Sequence, residues 1–225
     1  MTLALIGALE IEVAPLVRAL RAVKAQAAPL GKVYRAVVGD EDVWIAELGM
    51  GKVRAAAVLQ SLIDVYRVNE VICFGSAGAL NPQCNVGDII VARRVTQHDF
   101  RLMLTPTILG DRHTWLKTDA RWSKRLLAAG RRLGHTVALG SIVTGDQVIA
   151  ASETRYRLWT EFRADCVEME GAAVGIVCGL NDIPFAVVRG LTDRADEYET
   201  TSFRQRITDV SETVANVVAE CVRAR

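Results

Sequence analysis

The chain has 225 residues, 51% of them hydrophobic, which is enough to bury one substantial core. Its 27 Lys and Arg balance 26 Asp and Glu to a formal net charge of +1. No basic run interleaved with aromatics appears, so the composition argues against a nucleic-acid-binding surface, and charges interrupt every apolar stretch short of the roughly 20 residues of a membrane span.

The opening MTLALIGALEIEV has no basic start, and Glu10 and Glu12 cut its apolar run. It therefore predicts a first strand, Thr2–Ala8, entering a helix rather than a secretory leader. Glu10–Arg21 places Ile11, Val13, Leu16, Val17 and Leu20 at helical spacing. Val33–Val38 and Val43–Leu48 read as a hairpin about Gly39-Asp40. Gly51–Tyr66 is helical, and Glu70–Phe74 is a buried strand closing on the glycines of FGSAGAL, which are expected to make a sharp turn. Asp88–Val95 is β-rich, and Phe100–Lys117, aperiodic and carrying Pro106 and Gly110, is the expected long functional loop. Ala120–Gly134 is a helix, Thr136–Val143 a strand, Arg155–Phe162 a short helix and Asp165–Glu168 a short strand. Gly171–Leu180 is an Ala/Val-rich helix, Phe185–Leu191 an apolar strand, and Phe203–Val222 a last helix with one apolar face. Helices alternate with strands that lack period-two patterning, so the expected fold is one α/β/α domain over residues 1–225, with a central mixed, mainly parallel sheet.

Five cysteines, at 73, 84, 166, 178 and 221, form no CxxC pair and fit no zinc site. They are read as reduced thiols of a cytoplasmic protein. Carboxylates gather at the ends of the predicted strands. In CVEMEGAAVG, Glu168 and Glu170 bracket Met169 beside a buried strand, where a carboxylate is costly unless partnered. Glu170 could accept hydrogen bonds from the vicinal hydroxyls of a ribose, or simply favour a helix start. Asp193 follows a long apolar strand, placed either for general acid work or as an ordinary turn residue. Arg189 inside that strand needs a carboxylate, for which Glu168 and Glu170 are candidates. TGDQVI supplies another polar turn, and His98 with Asp99 is expected to make a structural hydrogen bond. Ser76 lies outside a GxSxG elbow, which argues against a serine hydrolase.

Taken in order, IGALEIEV, LGMGKV, FGSAGAL with VGDIIV, TGDQVI, VEMEG and VRGLTDRAD followed by SF resemble the purine nucleoside phosphorylase/nucleosidase superfamily, and within it the 5′-methylthioadenosine/S-adenosylhomocysteine nucleosidase branch. The resemblance runs from Ile6 to Phe203 and implies residue roles. Glu12 matches the carboxylate that activates water, and Asp193 the acid that meets the purine N7. Glu170 and Met169 match the pair that holds the ribose. Ser76 and Arg189 match polar residues lining the site, with Arg189 orienting Glu170. Leu9, Met50 and Phe203 match apolar positions about the 5′ substituent. Val148 stands where the family usually has an aromatic, and Ile149 and Glu168 are taken with it as substrate contacts. The resemblance implies a small-molecule purine nucleoside as partner, a homodimer, and no metal or cofactor.

Departure of a purine calls for an acid at the base and water arriving from the opposite face of the sugar, hence two separated carboxyl groups. Where the phosphorylase branch carries an arginine ahead of its GSxG motif, this chain has Cys73, and its first helix opens with glutamates. Hydrolysis is therefore expected over phosphorolysis. A non-catalytic nucleoside-binding protein on the same scaffold is the remaining alternative.

Overall fold

The computed structural model describes residues 2–25, 30–100, 114–193 and 200–224, with the side chains of the last segment beginning at Gln205. β1 (Leu3–Gly7) leads into α1 (Glu10–Ala19), and β2 (Val23–Lys24), β3 (Lys32–Val38) and β4 (Glu41–Glu47) follow. Next come α2 (Lys52–Tyr66), β5 (Glu70–Ala79), β6 (Ile89–Gln97) and β7 (Leu116–Lys117). Then α3 (Ala120–Arg132), β8 (Val137–Thr144), α4 (Ser152–Phe162), β9 (Cys166–Glu168), α5 (Gly171–Leu180), β10 (Phe185–Asp193) and α6 (Thr200–Arg223) complete the chain.

At the centre of the sheet β4, β1, β5 and β10 lie side by side and parallel. The expected hairpin forms from β3 and β4, which pair antiparallel from Lys32↔Glu47 to Val38↔Glu41. Beyond β10 the sheet bends back. β6 pairs antiparallel with β10, β8 joins β6 in parallel, and β9 joins β8. β9 then returns to the end of β5 through Gly78↔Val167 and Ala79↔Cys166. The ladder β5–β10–β6–β8–β9 thus closes on itself, and its rim gathers the ends of strands far apart in sequence. The sheet is mixed: parallel pairings join β4, β1, β5 and β10 and again β6, β8 and β9, and antiparallel ones link these two groups through β10–β6 and β5–β9.

The lack of period-two patterning has a direct cause. Alternate residues of β1 enter different cores: Ala4 and Ile6 pack with α2 and α5, whereas Leu3 and Leu5 pack with α1, α3 and α6. Each such side chain contributes about 1.5–3 kcal/mol on leaving water, so both faces of the sheet need apolar residues. Gly190 shows how close the helices come, because a Cβ there would stand 2.4 Å from Val210 and 2.7 Å from Val214 of α6. All five cysteines are free thiols, and all but Cys84 are buried. Among the described residues no helix is long and apolar enough to cross a membrane.

One expectation is corrected. FGSAGAL does not turn after the strand, because β5 continues extended through Ala79. Its glycine at 75 serves a close approach instead: with φ at +154°, an added Cβ would lie 2.4 Å from Arg189 Nη1 and 2.8 Å from Glu12 Oε1. Within the loop expected over Phe100–Lys117, Leu116–Lys117 pairs as β7 with β6, and residues 101–113 lie outside the described residues.

Candidate active site

A cavity of about 230 Å³ opens at the carboxyl ends of β1, β5, β8, β9 and β10, where a parallel sheet usually places its ligand. Its walls include Leu9, Glu12, Met50, Ser76, Val148, Ile149, Glu168, Met169, Glu170 and Asp193, so ten of the residues singled out in the sequence meet in one place. Ile207 of α6 also lines it, as do Thr192 and Gln147. Ile207 carried only the signal of a core-facing helix position. Met50 and Val148 are 58% and 59% exposed, which puts them at the rim. Phe203 falls within α6, but its side chain lies outside the described residues.

Glu12 stands in the first turn of α1 and folds back over it. Its Oε2 accepts the amide N–H groups of Ala8 and Leu9, each at 3.0 Å. Its Oε1 accepts the Ser76 amide at 2.8 Å and the Ser76 hydroxyl at 2.7 Å. Four donors on a residue 2% exposed fix the carboxyl group in one orientation. Asp193 is placed by an irregularity. The β10–β5 register slips between Leu191↔Ala77 and Asp193↔Gly78, which leaves Thr192 bulged. The Thr192 hydroxyl donates to Asp193 Oδ2 at 2.7 Å.

Glu168 and Glu170 have different roles. Glu168 Oε2 accepts the amides of Glu170 at 3.0 Å and Gly171 at 2.8 Å and pairs with the Arg189 guanidinium, while Oε1 accepts the Thr144 hydroxyl. Glu170 Oε1 accepts the Gly51 amide at 2.9 Å, and its Oε2 lies 3.3 Å from Arg189 Nη2. Burial pushes the Glu170 carboxyl up to about 7; Arg189 opposes this, and the neighbouring charges of Glu168 and Glu12 add to it. Burial alone would pull the Arg189 guanidinium down, but Glu168, Glu170 and Glu12 outweigh it and hold it charged.

The expectation that Arg189 lines the site is therefore corrected, while its expected contact with Glu170 forms at 3.3 Å beside a closer one to Glu168. Arg189 is 1% exposed, absent from the cavity wall, and bound first to Glu168. The reason is geometric: Arg189 sits opposite Gly75 inside the sheet, and its buried side chain is taken up by Glu168 and Glu170. Glu168 reaches the wall, but both of its oxygens are engaged by protein donors.

The expected His98–Asp99 bond is not the one that forms. Asp99 accepts the Lys52 ammonium at 2.7 Å and the Asp146 amide at 2.8 Å. Burial would raise the Asp99 carboxyl, but these two donors lower it. Burial pulls the His98 imidazole below its ordinary value, and its Nε2 packs on Gly145, where a Cβ would lie 2.2 Å away. In TGDQVI, Asp146 Oδ1 accepts the Lys52 amide at 2.8 Å at the start of α2, and Val148 and Ile149 face the cavity. Among the described residues no cluster of three His, Cys, Asp or Glu is arranged to hold a metal ion.

The model of the phosphorylase superfamily matches residues 2–223. The aminodeoxyfutalosine nucleosidase of Helicobacter pylori strain J99 is 30% identical over 97% of this chain and 96% of its own length. The 5′-methylthioadenosine/S-adenosylhomocysteine nucleosidase of Baumannia cicadellinicola is 31% identical over the full length of both. A mutant of the Helicobacter pylori 5′-methylthioadenosine/S-adenosylhomocysteine nucleosidase with 5′-methylthioadenosine in its active site superposes with a TM-score of 0.91 at 26% identity, covering 100% of this chain and 99% of that one.

Proposed function

The chain belongs to the phosphorylase superfamily, and on that premise we propose that it hydrolyses the base–ribose bond of a purine nucleoside, with Glu12 and Asp193 as its catalytic residues. The observation that carries this reading is that both carboxyl groups line one cavity, with Glu170 and Met169 in the same wall. Asp193 delivers a proton or hydrogen bond to the departing base. Glu12, already oriented by its four donors, takes a proton from water. Glu170 accepts the ribose hydroxyls while the sugar carries oxocarbenium character.

Water is favoured over phosphate by the charge of the wall. The described lining contains four carboxyl groups, at 12, 168, 170 and 193, and neither lysine nor arginine. The nucleosidase names of the relatives point the same way. Leu9, Met50 and Ile207 form an apolar side suited to a 5′ substituent such as an alkylthio group. Methionine salvage, a cytoplasmic location and a homodimer belong to the same proposal. The free cysteines support the second, and the exposed apolar residues Met50, Val53 and Val148 support the third.

The test is release of free purine from a panel of nucleosides varied at the 5′ position, with and without inorganic phosphate, read by chromatography. Base release that is unaffected by phosphate is expected. Strict dependence on phosphate would turn the assignment to phosphorolysis, and tight nucleoside binding with no cleavage would turn it to a binding protein.

A further inference from the structure

Anions and cations behind the cavity do not match in number. Glu12, Glu168 and Glu170 come from α1, β9 and the start of α5, all nearly inaccessible to solvent. The guanidinium that Glu168 and Glu170 meet is that of Arg189 on β10. Its Nη2 closes on Glu168 and reaches Glu170 Oε2 only at 3.3 Å. Glu168 has further support from two amides of α5 and the Thr144 hydroxyl, which in turn accepts the Ala172 amide at 2.8 Å.

Glu170 has less. Besides the long arm of Arg189 it receives the Gly51 amide. The other charged or titratable groups about it do not help. Glu12, from α1, adds a like charge. The Cys73 thiol of β5 lies 3.5 Å from Arg189 Nη2, and burial pushes it up, so it stays neutral. Lys52, at the start of α2, turns its ammonium to Asp99 and Gln97.

We propose that Glu168 is a positioning residue: by claiming Arg189 and the first amides of α5, it leaves Glu170 weakly paired, so that the ligand rather than the protein sets the charge of Glu170. The identity of that ligand, a ribose diol, rests on the proposed function above. Before a sugar binds, burial holds the Glu170 carboxyl up at about 7, so a large share of it carries a proton near neutral pH. When two ribose hydroxyls donate to it, they favour the ionised form, and its proton passes to solvent. The negative charge of Glu170 is thus completed when a sugar is present to use it.

Glu168→Gln removes one anion and frees Arg189 for Glu170, and both effects favour ionised Glu170. The acid limb of the kcat/KM profile should move to lower pH by about one unit or more. A purely structural role would lower activity at every pH without moving the limb, so an unmoved limb in a folded variant overturns the inference. Carbon-13 spectra of protein labelled at the glutamate carboxyls test the same point without catalysis. One carboxyl should titrate between roughly pH 6 and 8, vanish in Glu170→Gln, and titrate lower when the wild type binds formycin A, whose base is joined to ribose by an uncleavable carbon–carbon bond. A wild-type spectrum with no such carboxyl refutes the pairing, whether or not Glu168→Gln folds. If the wild type cleaves no nucleoside, the proposed reaction fails, and the carboxyl titration still decides the role of Glu168.

Discussion

Replacing Glu12 with glutamine separates its anchoring from its chemistry. The carboxylate now accepts four hydrogen bonds, two from the Ala8 and Leu9 amides on Oε2 and two from Ser76 on Oε1. A glutamine amide must turn its NH2 toward one pair. Facing Ala8 and Leu9, it strands two backbone donors. Facing Ser76, it strands only the Ser76 amide, because the hydroxyl can rotate and accept. The second orientation is the cheaper one, and a single stranded buried donor costs about 1–3 kcal/mol. For a chain of this size each kcal/mol is worth about 2–4 °C, so Glu12→Gln should unfold about 2–12 °C below the wild type. Loss of the proposed general base should separately reduce base release by roughly 10²–10⁴-fold, or about 3–5 kcal/mol of barrier. Differential scanning calorimetry reads the first effect and chromatography of free purine the second. An unchanged midpoint would refute the four-bond anchoring, and near-normal turnover would remove Glu12 from the reaction.

Asp193→Asn should lower kcat by roughly 10²–10⁴-fold with an unchanged circular dichroism spectrum, and turnover near the wild-type rate would exclude it as the acid. Gly75→Ala should reduce both stability and turnover, since its Cβ would stand 2.4 Å from Arg189 Nη1 and 2.8 Å from Glu12 Oε1; a variant with the wild-type midpoint and rate would contradict that close approach. Glu170 predicts an inverted pH effect on stability. Its carboxyl is pushed up from 4.5 to about 7 by burial, so the folded chain binds its proton more tightly than the unfolded chain does. Its contribution is favourable at low pH and is lost as pH rises through that window. Urea unfolding at pH 5 and pH 8 should therefore show Glu170→Gln gaining on the wild type at the higher pH, and a gap independent of pH would count against the shift.

How far the residues could be read in advance follows from the range of the forces involved. Gly171–Leu180 forms a helix over the expected span because its pattern is local and its neighbours agree. The site residues also converge as the motif order implied, since strand ends were marked by carboxylates and glycines. What escaped depends on partners distant in the chain. The glycines of FGSAGAL read as a turn, yet Gly75 is extended and makes room for Arg189, 114 positions further along the chain. Glu168 and Glu170 could each have taken Arg189, and the choice is made by the amides at the start of α5. Strands of two or three residues, β2, β7 and β9, carry too little pattern to announce themselves, although β9 closes the ladder. Ile207 reads as core because its spacing continues the apolar repeat of Val210, Val214 and Val217 in α6, yet it lines the cavity.

The starts of three helices bear on the nucleophile. A helix start offers unpaired amides and positive potential, and is a ready place for a phosphate. Around this cavity those amides already hold protein carboxylates. The Ala8 and Leu9 amides at the start of α1 hold Glu12. The Glu170 and Gly171 amides at the start of α5 hold Glu168. At the start of α2, the Gly51 amide holds Glu170 and the Lys52 amide holds Asp146. An incoming phosphate would have to displace an anchored carboxylate and then sit beside the others, with Arg189 already engaged behind the wall. Water has no such obstacle, because it can donate to a carboxylate without displacing it. Glu12→Ala supplies the converse test: with the Ala8, Leu9 and Ser76 amides released, phosphate should begin to bind or to raise the Tm, and a variant as indifferent to phosphate as the wild type would show that these amides do not govern the choice.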